Sequence, residues 1–446
     1  MNYHEWGRKM ELPRGWTTVS LSDICVQRKE KILPSESTMN LFIGLEHIEA
    51  QTMKLLSTAD ISSVKSSSMK FYANDILYGR LRPYLNKVLL AGLDGICSSE
   101  LIIFPIQKNL NNGYLAYHLN SMRFVAYAMS KVTGDRPRID FETMSAYELL
   151  LPPLAEQHRI VEKIDTLFSK LDKGVEMLKI IRQQLQTYRQ AVLKWAFEGK
   201  LSNDTIKDYG RLQDLCFFIT KGTTPHKTVM TADYGDVPFI KVYNLTLTGE
   251  LDFTINPTFV SHETHNGFLA RSKIFPGDVL MNIVGPPLGK VSIAPNSHKE
   301  FNINQAIARF RCNDELYNKF LAYFLMYSGT IEMISKKSKA TAGQLNLTLE
   351  ICRDIEIPLL DISTQKKIVT EIESRLSVCD KLESIVDENL AKSESLRQSI
   401  LKKAFSGQLV PQNPSDEPAN KLLERIKAER QTSSSTQKPA RRKKNA

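Results

Sequence analysis

Two matching stretches of this 446-residue chain decide its architecture. Residues 157–201 read QHRIVEKIDTLFSKLDKGVEMLKIIRQQLQTYRQAVLKWAFEGKL, and residues 365–409 read QKKIVTEIESRLSVCDKLESIVDENLAKSESLRQSILKKAFSGQL. They align without a gap at a constant offset of 208 residues. A repeat has to be found first, because missing it changes the whole fold assignment. Matched identities include Gln157 and Gln365, Asp172 and Asp380, Arg189 and Arg397, Phe197 and Phe405, and Gly199 and Gly407.

Each stretch has the start and stop signals of a long helix. Pro152-Pro153 and Pro358 come before the two stretches, where a proline interrupts no internal hydrogen bond. Gly199 and Gly407 follow the last apolar residues as C-terminal caps. The sequence therefore predicts one helix in each copy.

The apolar spacing of the first stretch indicates a coiled coil. From Ile160 to Trp195, apolar residues recur at alternating steps of four and three, with one interruption at Gly174. At about 1.5 Å per residue, a helix over residues 155–198 would be about 66 Å long. We expect the second helix, whose pattern is less regular, to be its partner.

The segments before the helices also repeat, which predicts two similar mixed α/β domains. Asp75-Ile76-Leu77 returns as Asp278-Val279-Leu280, and Leu115-Ala116-Tyr117 returns as Leu321-Ala322-Tyr323. Short β-rich runs bounded by Gly, Pro and Asn alternate with helical segments. The predicted order is a first domain (1–150), a helix (151–201), a second domain (202–357), a helix (358–410) and a C-terminal segment with a disordered basic tail (411–446).

The composition places the chain among ordinary globular proteins, with 42% hydrophobic and 24% charged residues. The formal net charge is +10, but +5 of it lies in residues 411–446. The bulk charge is therefore a poor guide to partners, since the two domains are nearly neutral. We find no signal peptide and no apolar run of about 18 residues, and the six cysteines form no metal motif. These features predict a cytoplasmic protein with reduced thiols.

No catalytic or cofactor-binding motif is evident. The stretch from Gly285 to Val291 resembles a P-loop but is one residue short between its glycines and lacks the Ser or Thr that binds magnesium. His262 and His265 stand at metal-ligand spacing, but Asn266-Gly267 indicates a loop there. We therefore expect no catalytic residue, no metal site and no cofactor in this chain.

Basic and amide side chains on loops bounded by Gly and Pro are the candidates for DNA contacts. Arg can bind guanine through two hydrogen bonds, Asn and Gln can do the same with adenine, and Lys and Thr suit phosphates. A solvated loop residue is the alternative for each. The candidates are Tyr78, Arg80, Arg82, Lys87, Arg136 and Arg138 in the first domain, and Thr224, Lys227, Asn282, Lys290, Lys339 and Gln344 in the second. At an offset of 206, Arg138 and Gln344 occupy matched positions.

The helix entry and exit carry a resemblance to a known family. The entry LLPPLAEQHRIV (150–161) and the exit AFEGKL (196–201) resemble conserved segments of the specificity subunits of Type I restriction-modification systems. Residues 357–369 and 404–409 reuse them, and residues 409–426 resemble that family's C-terminal segment. The second entry departs from the pattern at residues 360–364, which leaves the start of that helix open.

The resemblance implies two target recognition domains, each reading half of an asymmetric bipartite double-stranded DNA site. It implies antiparallel helices that set the spacer and dock two methyltransferase subunits, and a complex with restriction subunits. S-adenosylmethionine, ATP and Mg would belong to those partners. Two alternatives stay open, a coiled-coil scaffold that binds only proteins and a stand-alone restriction or modification enzyme.

Overall fold

The computed structural model describes residues 12–201, 206, 208–338, 340–341 and 344–435. The chain divides into two compact units. The first comprises Met1–Met177 with Asn389–Ala446, and the second comprises Leu178–Glu388. Each unit contains one of the repeated domains together with parts of both long helices.

The first domain is mixed α/β. Its strands are β1 (Thr17–Ser20), β2 (Lys31–Ile32), β3 (Leu41–Ile43), β4 (Ala59–Asp60), β5 (Ser68–Phe71), β6 (Ile76–Gly79), β7 (Val88–Leu90), β8 (Gly95–Cys97), β9 (Leu101–Phe104) and β10 (Glu148–Leu151). Its helices are α1 (Leu21–Ile24), α2 (Asn112–Leu119), α3 (Met122–Ser130) and α4 (Phe141–Ser145). The long helix α5 (Leu154–Phe197) follows.

The first-domain strands form a five-stranded sheet in the order β2-β5-β8-β3-β4, a three-stranded sheet β7-β6-β9 and the pair β1-β10. The pair is antiparallel, with Thr17 opposite Leu151, so it brings the start of the domain beside the start of α5. The helical segment after β9 is divided into α2 and α3, because the Ser121 side chain accepts the Phe124 N–H and begins α3.

The second domain repeats this plan. Its strands are β11 (Tyr209–Arg211), β12 (Cys216–Lys221), β13 (Met230–Ala232), β14 (Val237–Ile240), β15 (Thr258–Val260), β16 (Lys273–Ile274), β17 (Val279–Asn282), β18 (Val291–Ile293), β19 (Phe301–Ile303), β20 (Ile307–Cys312), β21 (Ala340–Thr341), β22 (Gln344–Leu345) and β23 (Glu356–Pro358). Its helices are α6 (Leu212–Leu215), α7 (His262–Asn266), α8 (Asn318–Met326), α9 (Ser328–Lys337) and α10 (Leu349–Arg353), and the long helix α11 (Ile362–Phe405) follows.

The second-domain sheets resemble those of the first. The orders are β13-β15-β14-β19-β16, β12-β20-β17-β18, β21-β22 and the pair β11-β23. Each five-stranded sheet contains one parallel pair, β3 with β8 and β14 with β19. The outermost strands differ, because β2 lies on the β8 side of its parallel pair and β13 lies on the β14 side of the other. Both domains are therefore the expected mixed α/β folds, and they share the central strand pairing.

The two long helices are 44 residues each and begin at matched positions, Leu154 and Ile362. The sequence left the start of the second helix open. Asp361 caps the N-terminus of α11, because its carboxylate accepts the N–H groups of Ser363 and Thr364 at 2.9 and 3.0 Å. These hydrogen bonds, with that of the Thr364 hydroxyl, lower the pKa of Asp361.

Both helices end on glycines in the left-handed region, Gly199 at φ 76° and Gly407 at φ 71°. The Lys200 N–H donates to Trp195 O at 2.8 Å, and the Gln408 N–H donates to Lys403 O at 2.9 Å. Such bonds satisfy carbonyls that a helix end leaves unpaired. The predicted C-terminal caps are present in both copies.

Within each unit, parts of the two long helices pair antiparallel. In the first unit, Arg397 of α11 forms an ion pair with Asp172 of α5. In the second unit, Arg182 pairs with Asp387 and Arg189 pairs with Asp380, so residue numbers rise on one helix as they fall on the other. The predicted antiparallel pairing is confirmed.

These ion pairs follow from the duplication. Arg189 and Arg397 are matched repeat positions, and so are Asp172 and Asp380. The arginine of each helix therefore binds the aspartate of the other, which is the reciprocal pattern that two copies of one helix give when they run antiparallel.

The predicted seam holds over part of α5. Ile160, Ile164, Leu185 and Val192 are buried, but Tyr188 and Trp195 are 40% and 39% exposed. An α-helix drifts by about 20° per heptad from a strict 3.5-residue repeat, so the buried face moves away from positions that a fixed heptad selects. At its C-terminal end, the buried residues of α5 also pack into the core of the second domain.

The C-terminal segment belongs to the first unit. Helix α12 (Ala419–Ser435) contributes Ala419, Leu422 and Ile426 to the same core as Trp16. The Ala419 N–H donates to Gly15 O at 2.8 Å. Helix α12 lies within residues 411–446, which were predicted to form a C-terminal segment with a disordered basic tail, and it extends to Ser435. Residues 436–446 lie outside the described residues.

Candidate nucleic-acid interface

Two arginine-bearing segments of the first domain, predicted separately, lie side by side. The Ile139 N–H donates to Arg80 O at 3.0 Å, and the Arg82 N–H donates to Pro137 O at 2.7 Å. These bonds place Leu81 opposite Arg138 in an antiparallel bridge. Residues 80–82 and 136–138 therefore form one arginine-bearing edge, which we call the arginine edge.

The arginine edge has a strained backbone. Arg82 has φ 53° and Asn86 has φ 48°, both in the left-handed region that non-glycine residues seldom adopt. The Asn86 side chain stabilises this turn, because its Nδ2 donates to Asn120 O at 2.7 Å. Strain of this kind is retained at binding sites more often than elsewhere.

Arg138 is held by an acid that sequence reasoning missed. Its Nε and Nη2 donate to the two carboxylate oxygens of Glu100 at 3.2 and 3.0 Å. Its side chain is 53% exposed, so the guanidinium is oriented at the surface rather than buried. The Arg80 N–H also donates to Glu100 O at 2.9 Å. Glu100 therefore orients the arginine edge, and a carboxylate can itself accept from cytosine N4.

The remaining first-domain candidates differ in exposure. Arg136 is exposed, whereas Arg80, Arg82 and Lys87 are half-buried. The Lys87 Nζ donates to Leu45 O at 2.6 Å, which ties that side chain to the domain rather than extending it into solvent.

Two predicted contacts are corrected because their side chains are buried. Tyr78 is 1% exposed and packs edge-to-face on Phe124, with ring centroids 5.5 Å apart, and burial raises its pKa. Asn282 is fully buried, accepts the Lys290 N–H at 2.9 Å and donates to Pro287 O at 2.8 Å. Both side chains stabilise the domains and do not face a ligand.

The second domain has the same paired edge. The Leu347 N–H donates to Ile283 O at 2.8 Å, and Val284 lies opposite Asn346 in an antiparallel bridge. Asn346 is exposed. We call residues 283–285 with Asn346 the amide edge, since Asn346 stands where the first domain has Arg138.

This geometry corrects the predicted match between Arg138 and Gln344. The helices that follow each edge begin with matched caps, Asp140 accepting the Thr143 N–H at 2.8 Å and Thr348 accepting the Ile351 N–H at 3.2 Å. The two cap residues are 208 positions apart, which is the offset of the long helices. At this offset Arg138 corresponds to Asn346.

Gln344 begins β22, and its side chain is outside the described part of the chain, as is the whole of Lys339. Alignment of the cap residues Asp140 and Thr348 could have identified Asn346, rather than Gln344, as the residue that corresponds to Arg138.

A second loop leaves the same end of the β12-β20-β17 sheet. Ile307 lies opposite Asn282 at the end of β17, and its carbonyl accepts the Gly222 N–H at 3.2 Å. A Cβ on Gly222 would come within 2.0 Å of Ile303 O, so the chain can pass here only with glycine. Thr224 and Lys227 follow on this loop and are exposed.

The P-loop-like stretch is a turn between β17 and β18, and Lys290 is half-buried at its end. His265 is hydrogen-bonded within the second domain. Its Nε2 bonds Glu300 at 2.8 Å and its Nδ1 accepts from Asn302 at 2.6 Å, within the domain core. Within the ranges described, no group of three or more His, Cys, Asp or Glu side chains could hold a metal ion. Over that same part of the chain, no helix is long and apolar enough to span a membrane.

Two copies of one scaffold that present different polar side chains are suited to contact different bases. The chain belongs to the family of Type I restriction modification DNA specificity domains, whose model matches residues 13–179 and 206–388. The resemblance inferred from the helix entry and exit is confirmed. The chain is a DNA sequence-recognition subunit with two recognition domains.

Relatives by sequence agree with this assignment. The chain is 28% identical over 407 residues to the Type I restriction enzyme EcoBI specificity subunit of Escherichia coli, covering 80% of this chain and 82% of that one. It is 26% identical over 370 residues to the EcoKI specificity subunit of Escherichia coli K12, with 78% and 76% covered.

Two solved structures share the fold. A chain from a study of complex assembly and conformational transition of the type I R-M system matches with TM-score 0.73 and 21% identity, over 90% of this chain and 100% of that chain. The HsdS subunit from Thermoanaerobacter tengcongensis matches with TM-score 0.52 and 22% identity, over 90% and 99%.

Proposed function

We propose that each recognition domain reads one half of an asymmetric, bipartite site in double-stranded DNA. The arginine edge addresses one half and the amide edge addresses the other. The long helices set the unspecified spacer between the halves and dock two methyltransferase subunits, and the complex includes restriction subunits.

The observation that carries this proposal is the repeated edge. In both domains the segment after the central strand, β6 or β17, pairs antiparallel with the segment before a short capped helix. The backbone is the same, but Arg138 stands in one copy and Asn346 in the other. Arg suits guanine O6 and N7, and Asn suits adenine N6 and N7, so the two copies are suited to different bases.

Exposed apolar side chains on the long helices support a docking role. On α5, Met177, Ile180, Tyr188 and Trp195 are 57%, 43%, 40% and 39% exposed. Their separations of three, eight and seven residues keep them close to one face of the helix. Aromatic and Met side chains are enriched at protein interfaces, so this face suits a protein partner.

We assign no chemistry to the chain itself. The methylation of adenine with S-adenosylmethionine, and the ATP- and Mg-dependent cleavage, belong to the partner subunits in this proposal. The complex acts in the cytoplasm, where its DNA substrate is.

Single substitutions at the two edges test the reading of half-sites. In the assembled complex, Arg138→Ala should weaken discrimination at one half-site and Asn346→Ala at the other, each by roughly 1–3 kcal/mol, or about 5- to 150-fold. Methylation of a DNA library that varies both halves, followed by sequencing, gives both readouts. Thr133→Ala, at an exposed position beside the arginine edge, is the control.

A uniform loss of methylation over all library members would mark either residue as a phosphate contact instead. Loss at the same half-site from both substitutions would contradict the assignment of one half to each domain.

The spacer role is tested by helix length. Seven residues inserted into each long helix add about 10.5 Å, which equals about three base pairs at roughly 3.4 Å each. The preferred spacer should lengthen by about that amount. An active complex with an unchanged spacer would refute the role of the helices as a ruler.

A further inference from the structure

Two cysteines of the second domain face each other across an antiparallel strand pair. Cys216 begins β12 and lies directly opposite Cys312, which ends β20. They are 96 residues apart in sequence, so their spacing gave no sign of the pair. Cys25 stands at the position matched to Cys216 in the first domain, whereas Ile106 is matched to Cys312 at the offset of 206. The facing pair therefore belongs to the second domain.

The hydrogen bonds beside the cysteines define the geometry of the pair. The Asn313 N–H donates to Leu215 O at 3.0 Å. Leu215 directly precedes Cys216, and Asn313 directly follows Cys312. This hydrogen bond therefore places the two cysteines at a non-hydrogen-bonded position of the antiparallel ladder. At such positions the Cα atoms are about 4.5 Å apart and side chains approach most closely. A disulfide needs a Cα separation of roughly 4.4–6.8 Å, so the strand pair already provides the required approach.

The thiols are in contact and differ in exposure. The neighbouring Cys312 thiol, together with burial, raises the pKa of Cys216. Cys216 is 8% exposed, whereas Cys312 is half-buried and lines an open cavity with Phe275, Arg311 and Tyr317. A small reagent therefore reaches Cys312 first, and Cys216 is held beside it. Cys97 and Cys352 are fully buried and neither lies opposite another cysteine in the described strand pairs, so a reagent in solution does not reach them readily.

We propose that Cys216 and Cys312 are an oxidisable dithiol that closes to an intrachain disulfide when a low-molecular-weight disulfide is supplied. The Cys312 thiolate attacks one sulfur of that reagent, forms a mixed disulfide and releases one small thiolate. The Cys216 thiolate then attacks the Cys312 sulfur and releases the second small thiolate. The two protons lost by the cysteines protonate the two released thiolates, and the reagent is the oxidant. In a reducing compartment the pair remains as thiols.

The position of the pair gives the disulfide a structural consequence. Strand β12 runs from Cys216 to Lys221 and leads into the loop of Thr224 and Lys227. The ladder is irregular between Cys216 and Phe218. A disulfide between Cys216 and Cys312 would restrict motion of the irregular first residues of β12. The chemical reaction itself does not depend on the proposed recognition of DNA, so the two can fail separately.

Peptide mapping of the folded full-length chain tests the proposal. The chain is incubated with oxidised glutathione at neutral pH, alkylated, and digested with trypsin without reduction. The expected product joins the peptide of residues 212–221 to that of residues 312–319, with a mass two hydrogen atoms below their sum. Dithiothreitol before alkylation should return both peptides in alkylated form.

Matched variants separate this reaction from general oxidation. Cys25→Ser should still form the linked peptide, and Cys312→Ser should leave Cys216 open to alkylation after denaturation. A stable glutathione adduct on Cys312 without the linked peptide would overturn the proposal. So would alkylation of both thiols after oxidation, or linkage of Cys216 to Cys97 or Cys352 in similar yield.

Discussion

The two recognition domains share a backbone and differ in the side chains that it presents. In the first, Arg138 is oriented by the carboxylate of Glu100 with contacts of 3.2 and 3.0 Å. In the second, Asn346 stands at the same place on the same kind of antiparallel edge. The hydrogen bonds that build the edge come from backbone groups, so the exposed side chains can vary without cost to the fold. This separation explains how one duplicated scaffold can read two different sequences.

The cores of the two units show a second difference. His118 packs against Phe405 in the first unit, with ring centroids 3.9 Å apart and the ring planes tilted by 31°. The matched residues of the second unit are Phe324 and Phe197, whose centroids are 5.1 Å apart. A histidine therefore occupies in one copy the place of a phenylalanine in the other. Within the described chain, neither ring nitrogen of His118 has a hydrogen-bond partner.

Substitution of the matched glutamine at the start of each long helix should give the largest effect on the stability of the two units. Gln157 accepts the Asn111 N–H at 2.9 Å and donates to Pro152 O at 2.9 Å. Gln365 accepts the Tyr317 N–H at 2.8 Å and donates to Leu360 O at 2.8 Å. Each Gln→Ala change should lower the free energy of unfolding of its own unit by about 3 kcal/mol, because buried backbone groups lose their partners.

Urea unfolding followed by hydrogen exchange mass spectrometry assigns each loss to a unit. The control is Gln184→Ala, at an exposed position of α5, which should change the free energy of unfolding by less than about 0.5 kcal/mol. A large loss from only one of the two core substitutions would show that the helices are anchored differently.

The buried histidine should make only the first unit sensitive to acid. Burial, with a smaller effect of Arg123, lowers the pKa of His118 from 6.5 to about 3. Below pH 6.5 the unfolded chain takes up a proton that the folded unit cannot, so stability falls as the pH falls toward 3. At pH 5 the loss relative to pH 8 should be about 2 kcal/mol.

Hydrogen exchange of the first unit at the two pH values measures this loss. His118→Phe copies the packing of the second unit and should reduce the pH dependence by about that amount. If the variant keeps the full acid sensitivity of the wild type, other groups are responsible and His118 is not the cause.

The reciprocal ion pairs give the smallest expected effect. Double-mutant cycles with Asp172→Asn and Arg397→Gln, and with Asp380→Asn and Arg189→Gln, should each give a coupling of roughly 0.5–1 kcal/mol, because the pairs are partly exposed. Urea unfolding measures both cycles. A coupling near zero in one cycle only would mean that the duplicated contact stabilises just one unit.

The sequence predicted the parts of the fold that depend on local or repeated patterns. The two long helices and their glycine caps follow from residues that recur at one offset, such as Asp172 with Asp380, whereas the antiparallel pairing was implied by the family resemblance. The mixed α/β class followed from short β-rich runs between helical segments. These features are encoded by neighbours in the chain or by duplication, so one sequence is enough to predict them.

The candidate site was harder to predict because exposure and partners are tertiary properties. Tyr78 precedes two arginines, but it lies in β6, whose residues are buried on both faces. The side-chain amide of Asn282 already donates and accepts hydrogen bonds within its own turn, so it is not available to a ligand. Asn346 was missed because the offset changes between the domain and the helix, and only the cap at Thr348 marks the change.

Methylation sequencing of an exchanged complex tests the central claim most directly. Residues 12–150 are replaced by the corresponding residues of a relative with a different known specificity, and the variant is assembled with the partner subunits. Each domain reads its own half-site in this account, so one half of the methylated sequence should change while the other half and the spacer remain. An unchanged sequence, or a change in both halves, would contradict it.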